Sequence, residues 1–182
     1  MRVLKGADVC FITVGIPSAP DGSADLSYVE SAARSVGRGM SGSLLTIVKS
    51  TVPVGTNARV RDWIASELEG RSAGFGLSMA SNPEFLREGA ALRDFLEPDR
   101  VVLGTDSPEA REIVTSLYSF LEPSRLLFMD IASAEMAKYV KMHGMEVAVR
   151  CRVVRDEEFS VHADASELLD WVGTLKIGRA HV

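Results

Sequence analysis

Cysteine is nearly absent: only Cys10 and Cys151 occur in 182 residues. They lie in different apolar runs and form no metal-type spacing, so a cysteine-rich metal centre is not expected. Long apolar runs are missing too. None reaches the ~18–20 residues that a membrane span needs, and no membrane partner is expected. Arg2 and Lys5, close behind Met1, bring charge too early for a signal peptide, so the cytoplasm is the expected compartment. A basic surplus is lacking as well. Lys and Arg number 20 against 25 Asp and Glu, for a net charge of −5, which argues against a general nucleic-acid surface. Phosphate-bearing small molecules stay open, because a helix N-terminus and one or two arginines bind them locally.

What is present is the make-up of a soluble globular domain, 46% apolar and 25% charged. Up to about residue 140 the chain alternates short apolar runs with helix-period segments. Val9 to Val14, Leu44 to Val48, Gly76 to Ala80, Arg100 to Leu103 and Leu126 to Met129 read as buried strands. Leu26, Val29, Ala33, Val36 and Met40 recur at helical steps, as do Val60, Ile64 and Leu68. So do Ile113, Val114, Leu117, Tyr118 and Leu121. Asp25, Ser107-Pro108 and Ser133 mark expected helix starts. Strand–helix–strand repetition predicts parallel strands with right-handed crossovers. The rhythm stops after Tyr139, which places a boundary near residues 139–145.

Three segments at strand ends carry candidate chemistry, and each has a plain alternative. Val14-Gly15-Ile16-Pro17 ends the first strand, where ligands bind in open α/β sheets; it can equally be a simple turn. Lys49-Ser50-Thr51-Val52-Pro53-Val54-Gly55-Thr56 leads into a helix. Its hydroxyls and N–H groups suit a phosphate, a ribose or a reacting alcohol; capping by Ser50, Thr51 or Thr56 is the alternative. In Ser81-Asn82-Pro83-Glu84-Phe85-Leu86-Arg87-Glu88-Gly89 two carboxylates stand four apart. If Pro83 starts a helix, Glu84 and Glu88 share a face, and their proximity can raise one pKa for acid–base work. Solvated glutamates in a first helical turn explain the same spacing. Lys138 is read as solvated on chemistry alone.

Taken together, the segments resemble one family in order and spacing. Asp21 to Val29, Ser50 to Thr56, Asn82 to Gly89 and Pro98 to Gly104 resemble the UDP-glucose/GDP-mannose dehydrogenase family, and most of all its UDP-glucose branch, over about residues 6–139. The resemblance implies NAD-dependent oxidation of a UDP-sugar C6 alcohol to a carboxylate, through an aldehyde and a cysteine thioester. It implies that Val14, Gly15, Ile16, Pro17, Ser18, Ser50, Thr51 and Val52 line the NAD site, with Glu88 also touching the cofactor. Glu84 would assist water attack on the thioester, Lys138 would stabilise oxyanions, and Thr51 would hold the water or hydroxyl network. Glu84, Phe85, Leu86, Arg87, Glu88 and Lys138 would face the substrate. The parent enzyme would be a homodimer.

The chain also departs from the family. Ile16 and Met142 stand where threonine and asparagine are usual, and the nucleophilic cysteine is replaced by neither Cys10 nor Cys151. The strand at residues 9–14 resembles the family's fourth, and no Gly-x-Gly-x-x-Gly pattern is expected anywhere in the chain. The expected fold is therefore a partial Rossmann-type doubly wound parallel sheet over 1–140, without its first βαβ unit, with an unrelated α+β tail. Such a chain is expected to be inactive alone and to present an open sheet edge. Residues 140–173, with Ser160-Val161-His162-Ala163-Asp164, resemble the late segment of beta-CASP metallo-hydrolases, in which the histidine, here His162, is a zinc ligand. With only His143, His162 and His181 in the chain, no metal is expected. Ile177 to Val182 reads as the translation of a sequencing adapter and is set apart from the 141–176 segment. The rival functions are a GDP-mannose or UDP-N-acetyl-hexosamine dehydrogenase, a zinc-dependent RNA-processing hydrolase, and a non-catalytic nucleotide-binding module.

Overall fold

Five short apolar runs form one sheet, and the amphipathic segments between them cover its two faces. The computed structural model describes residues 4–86, 89–143, 152–154 and 160–162. The strands β1 (Val9–Ile12), β2 (Leu44–Val48), β3 (Leu77–Ser81), β4 (Val101–Gly104) and β5 (Leu126–Met129) lie side by side in sequence order. The helices are α1 (Ser27–Gly39), α2 (Thr56–Gly70), α3 (Ala91–Leu96), α4 (Pro108–Leu117) and α5 (Ile131–His143). Two further strands, β6 (Arg152–Val154) and β7 (Ser160–His162), pair antiparallel with each other. Side-chain contacts of the tail, including those of His162, lie outside the described residues. The helix α5 continues through residue 139 to His143, so helix spans the first part of the expected boundary.

Alternation along the strands sorts the core. Leu44 and Val48 of β2 pack with Val29, Ala33 and Val36 of α1 and with Val60, Ile64 and Leu68 of α2. Leu45 and Ile47 point the other way, onto Ala110 and Val114 of α4 and Tyr118 just beyond it. Ile131 of α5 packs against the first cluster and Ala134 against Val102 and Met129. Helices on both faces of β2 make the sheet doubly wound, and every residue of β2 is buried. Where α1 crosses α2 only glycine fits: a Cβ on Gly37 would stand 2.8 Å from the Ile64 carbonyl oxygen.

One junction departs from the expected parallel order. β1, β2 and β3 are parallel, and so are β4 and β5, but β4 meets β3 antiparallel through Ser81 and Gly104. A parallel return usually runs back along the sheet through a full-length α-helix. Here the connecting helix, α3, has six residues, and Gly89 at φ 77° turns the chain before it. The same turn corrects the expectation of a helix from Pro83. Residues 82–86 are not helical, so Glu84 does not begin a helical face, and Arg87 and Glu88 lie outside the described residues.

The helix starts are partly as expected. Ser107 Oγ accepts from Ala110 N–H at 3.2 Å, with Pro108 first in α4. Asp25 Oδ1 accepts from Ser27 N–H at 2.9 Å as the chain enters α1. At α5 the capping residue is Asp130 rather than Ser133: its Oδ1 accepts from Ser133 N–H at 2.8 Å and its Oδ2 from Ser133 Oγ at 2.6 Å. The expectation that no Gly-x-Gly-x-x-Gly pattern occurs needs correction, since the spacing is present once, at Gly37, Gly39 and Gly42. It runs from the end of α1 toward β2, whereas a dinucleotide loop runs from a strand into a helix.

Candidate functional site

The carboxyl ends of β1, β2 and β3 converge on a cleft of about 610 Å3. Thr13 to Ser18 form one wall, Gly22 to Ala24 a second, and Lys49 to Thr51 with Glu84 the floor. Eight expected site residues are thus brought together: Val14, Gly15, Ile16, Pro17, Ser18, Ser50, Thr51 and Glu84. Val52 is not with them, since its side chain is 3% exposed in the core beneath α2. Phe85 packs against Val102 and Met129, and Leu86 is exposed and outside the cleft.

Local hydrogen bonds shape these walls. Ser50 Oγ donates to the Val14 carbonyl at 2.6 Å, tying the exit of β1 to the exit of β2. The loop after Ser18 folds back, with Asp25 N–H donating to the Pro17 carbonyl at 2.8 Å. Its tip is closed by Asp21, which accepts from Ser23 N–H at 2.9 Å and Ser23 Oγ at 2.7 Å. The Ser23 hydroxyl and N–H hold the Asp21 carboxyl below its usual range.

The start of α2 is occupied by the protein itself. Glu135 of α5, 2% exposed, accepts from Gly55 N–H at 2.7 Å, Asn57 N–H at 2.7 Å and Asn57 Nδ2 at 2.8 Å. A carboxylate in the dipole field of a helix start satisfies the donors that a phosphate would otherwise take. Neither an anion ligand nor capping by Ser50, Thr51 or Thr56 explains this helix start. The Thr56 hydroxyl turns instead to the Pro53 carbonyl, 2.6 Å away.

Three residues further along α5, at Lys138, charges gather. Lys138 Nζ donates to the backbone carbonyl of Glu84 and stands 3.7 Å from its Oε1. The Lys138 side chain is only 12% exposed, against the solvated position read from chemistry alone. Its ammonium also lies 5.2 Å from the centre of the Phe85 ring. The second carboxylate oxygen of Glu84 accepts from Leu86 N–H at 3.1 Å. Beside this pair, Asn82 is a buried hub. Its Oδ1 accepts from Lys49 Nζ at 3.0 Å and from the Tyr118 hydroxyl at 2.5 Å, while Nδ2 donates to the Val102 carbonyl at 3.0 Å. Burial pulls the Lys49 ammonium down from its ordinary pKa, with Lys138 acting the same way and Glu84 against it. Burial pushes the Cys10 thiol up, which suits an inert strand cysteine rather than a nucleophile. Among the described residues no group of three or more His, Cys, Asp or Glu could hold a metal ion. No described helix is long and apolar enough to cross a membrane.

Sequence reasoning included Lys49 and Asn82 in its candidate segments without giving either a role, and it missed Glu135 as part of this region. The first two stand directly at strand ends, which is a usable signal. Glu135 carried none, because its partners are about 80 residues away in the chain.

Residues 1–122 match the NAD binding domain of the UDP-glucose/GDP-mannose dehydrogenase family. The chain belongs to that family. It is 45% identical over 138 residues to the UDP-glucose 6-dehydrogenase of Pseudomonas aeruginosa, covering 75% of this chain and 30% of the relative. Against UDP-glucose 6-dehydrogenase TuaD of Bacillus subtilis it is 35% identical over 181 residues, covering 97% of this chain and 38% of the relative. Among solved structures, a UDP-glucose dehydrogenase from Pyrobaculum islandicum superposes with a TM-score of 0.69 at 47% identity, covering 74% of this chain and 31% of that one. The chain thus spans about a third of the length of these relatives. Residues 146–179 separately match a Zn-dependent metallo-hydrolase RNA specificity domain, in line with the resemblance of the tail. For the dehydrogenase family a Rossmann-like, mostly parallel α/β sheet is the observed architecture, and NAD is the cofactor its matched domain is named for.

Proposed function

We propose that this chain supplies the nicotinamide-facing part of an NAD-dependent UDP-glucose 6-dehydrogenase and does not complete the reaction alone. The observation that carries this reading is the single cleft that joins Val14 to Ser18, Ser50-Thr51 and Glu84 from three separate strand ends. The fit to NAD is good in chemistry and size. The cleft volume is in the usual range for cofactor sites, and it offers hydroxyls and backbone groups rather than a closed apolar wall. Val14 to Ser18, Ser50 and Thr51 would hold the cofactor, which when bound accepts hydride from the sugar carbon.

The chain's own residues then have distinct tasks. Ser50 fixes the Val14 carbonyl and with it the wall of the cofactor site. The Thr51 hydroxyl has no hydrogen-bond partner among the described residues and is free to order a water or substrate hydroxyl. Glu84 orients and deprotonates the attacking water, and Lys138, held on the Glu84 carbonyl, balances oxyanionic charge. Substrate contacts by Phe85, Leu86, Arg87 and Glu88, and a cofactor contact by Glu88, belong to the same reading. So do a UDP-sugar partner, a homodimeric parent enzyme and a cytoplasmic setting.

Calorimetric titration with NAD tests the cofactor assignment, and absence of binding would overturn it. With UDP-glucose and NAD supplied, the 182-residue chain is expected to form no NADH, and the half-buried Cys10 thiol with its raised pKa is not expected to carry the thioester stage of the oxidation. Measurable turnover that vanishes in Glu84→Gln would show that the chain is catalytically sufficient.

A further inference from the structure

Lys49 has no task in the scheme above, yet it lines the same cleft. Among the described residues its ammonium has one hydrogen-bond partner, the neutral Asn82 Oδ1 at 3.0 Å, and no carboxylate within ion-pair distance. An ammonium carries three donors, so two are left for a ligand. That partner is itself fixed. Asn82 Oδ1 also accepts from Tyr118, and its amide is pinned to the Val102 carbonyl, so Lys49 is aimed rather than loosely placed. Among the described residues, the charged groups that act on it are Glu84 and Lys138. Two ammonium groups against one carboxylate among the described residues leave an excess of one positive charge in a part-buried cluster. Such a cluster is completed by an anion, and a neutral ligand does not complete it.

We propose that Lys49 is a ligand-binding residue of the cleft that receives a carboxylate or alkoxide oxygen at the sugar C6 position. The assignment rests on the dehydrogenase reading and adds to it a recognition group for the oxidised end of the sugar. The neutral alcohol would gain little from Lys49, whereas the C6 oxyanion and the final carboxylate would gain a charge-assisted pair of bonds.

The test is NMR of the lysine side-chain methylenes in the full 182-residue chain, with the Lys49 signal identified by its loss in Lys49→Met. Sodium glucuronate and glucose are the probes, since they differ at C6 as carboxylate and alcohol. Glucuronate is expected to shift the Lys49 signal saturably and to raise its pKa toward the ordinary 10.5, while glucose leaves both unchanged. Followed on the Lys138 signal, Lys49→Met is expected to weaken glucuronate binding about tenfold or more, and Lys49→Arg to keep much of it. An equal response to glucose, no response to glucuronate, or unchanged affinity in Lys49→Met would overturn the assignment. If Lys49→Met loses its circular dichroism signal, the contrast between the two sugars on the wild-type chain decides. Wild-type NAD binding separates the two levels: with NAD bound and glucuronate silent, only the Lys49 assignment fails.

Discussion

Glu135 holds three donors of the α2 start while itself 2% exposed. Truncation to alanine would leave the two Asn57 donors buried and unpaired, at about 1–3 kcal/mol each before relaxation, while the exposed Gly55 N–H would turn to water. Glu135→Ala is therefore expected to lower stability by about 3 kcal/mol or more, with Glu135→Gln intermediate; urea denaturation of the variants checks this. Thr46 is the opposite case. Its buried hydroxyl in β2 has no partner among the described residues, so Thr46→Val is expected to be neutral or stabilising by up to about 1 kcal/mol in the same assay. Tyr118 gives a pH signature. Burial raises its phenol above the ordinary 10.0, so above that pH the unfolded chain loses the proton first and the native state holds more protons. Stability from this group is complete below about pH 10 and falls as pH rises beyond it. Tyr118→Phe is expected to be less stable throughout, through loss of the bond to Asn82, but to show a shallower alkaline decline in melting temperature. At this scale the sequence was readable where a residue works with its neighbours, as Ser107 and Asp25 do. It was opaque where a side chain such as Glu135 or Lys138 acts across the fold, because helical periodicity carries no information about distant partners.

The elements were legible to the extent that their own apolar period defines them. β2 and β5 have the expected limits, and Val60, Ile64 and Leu68 are the buried stripe of α2. The short α3 escaped notice because none of its residues is buried, so no apolar stripe marks it. Its effect is large all the same, since the connection it forms delivers β4 antiparallel to β3. The contact of α1 with α2 gives a prediction that belongs to the pair of helices. A methyl on Gly37 would meet the Glu67 Cβ at 2.7 Å as well as the Ile64 backbone, neither of which can move away cheaply. Gly37→Ala is expected to cost about 1–3 kcal/mol despite its better helix propensity, measured by thermal melting.

For the molecule as a whole, the described side of β1 pairs only with β2, and Phe11 on it is 40% exposed. An edge of this kind recruits other chains. The 182-residue chain is expected to self-associate, and Phe11→Lys to shift size-exclusion profiles toward monomer. A sharp wild-type monomer peak with no change on substitution would count against an active edge. The arrangement around Glu135 has a further consequence, in time rather than in space. Gly55 and Asn57 leave the ribosome 80 and 78 residues ahead of the carboxylate that closes their helix. Through that stretch of synthesis α2 carries bare donors at its first turn, and its final form waits on a group not yet made. Nascent chains arrested before residue 135 should therefore leave this helix end open to protease, and chains arrested well beyond α5 should protect it.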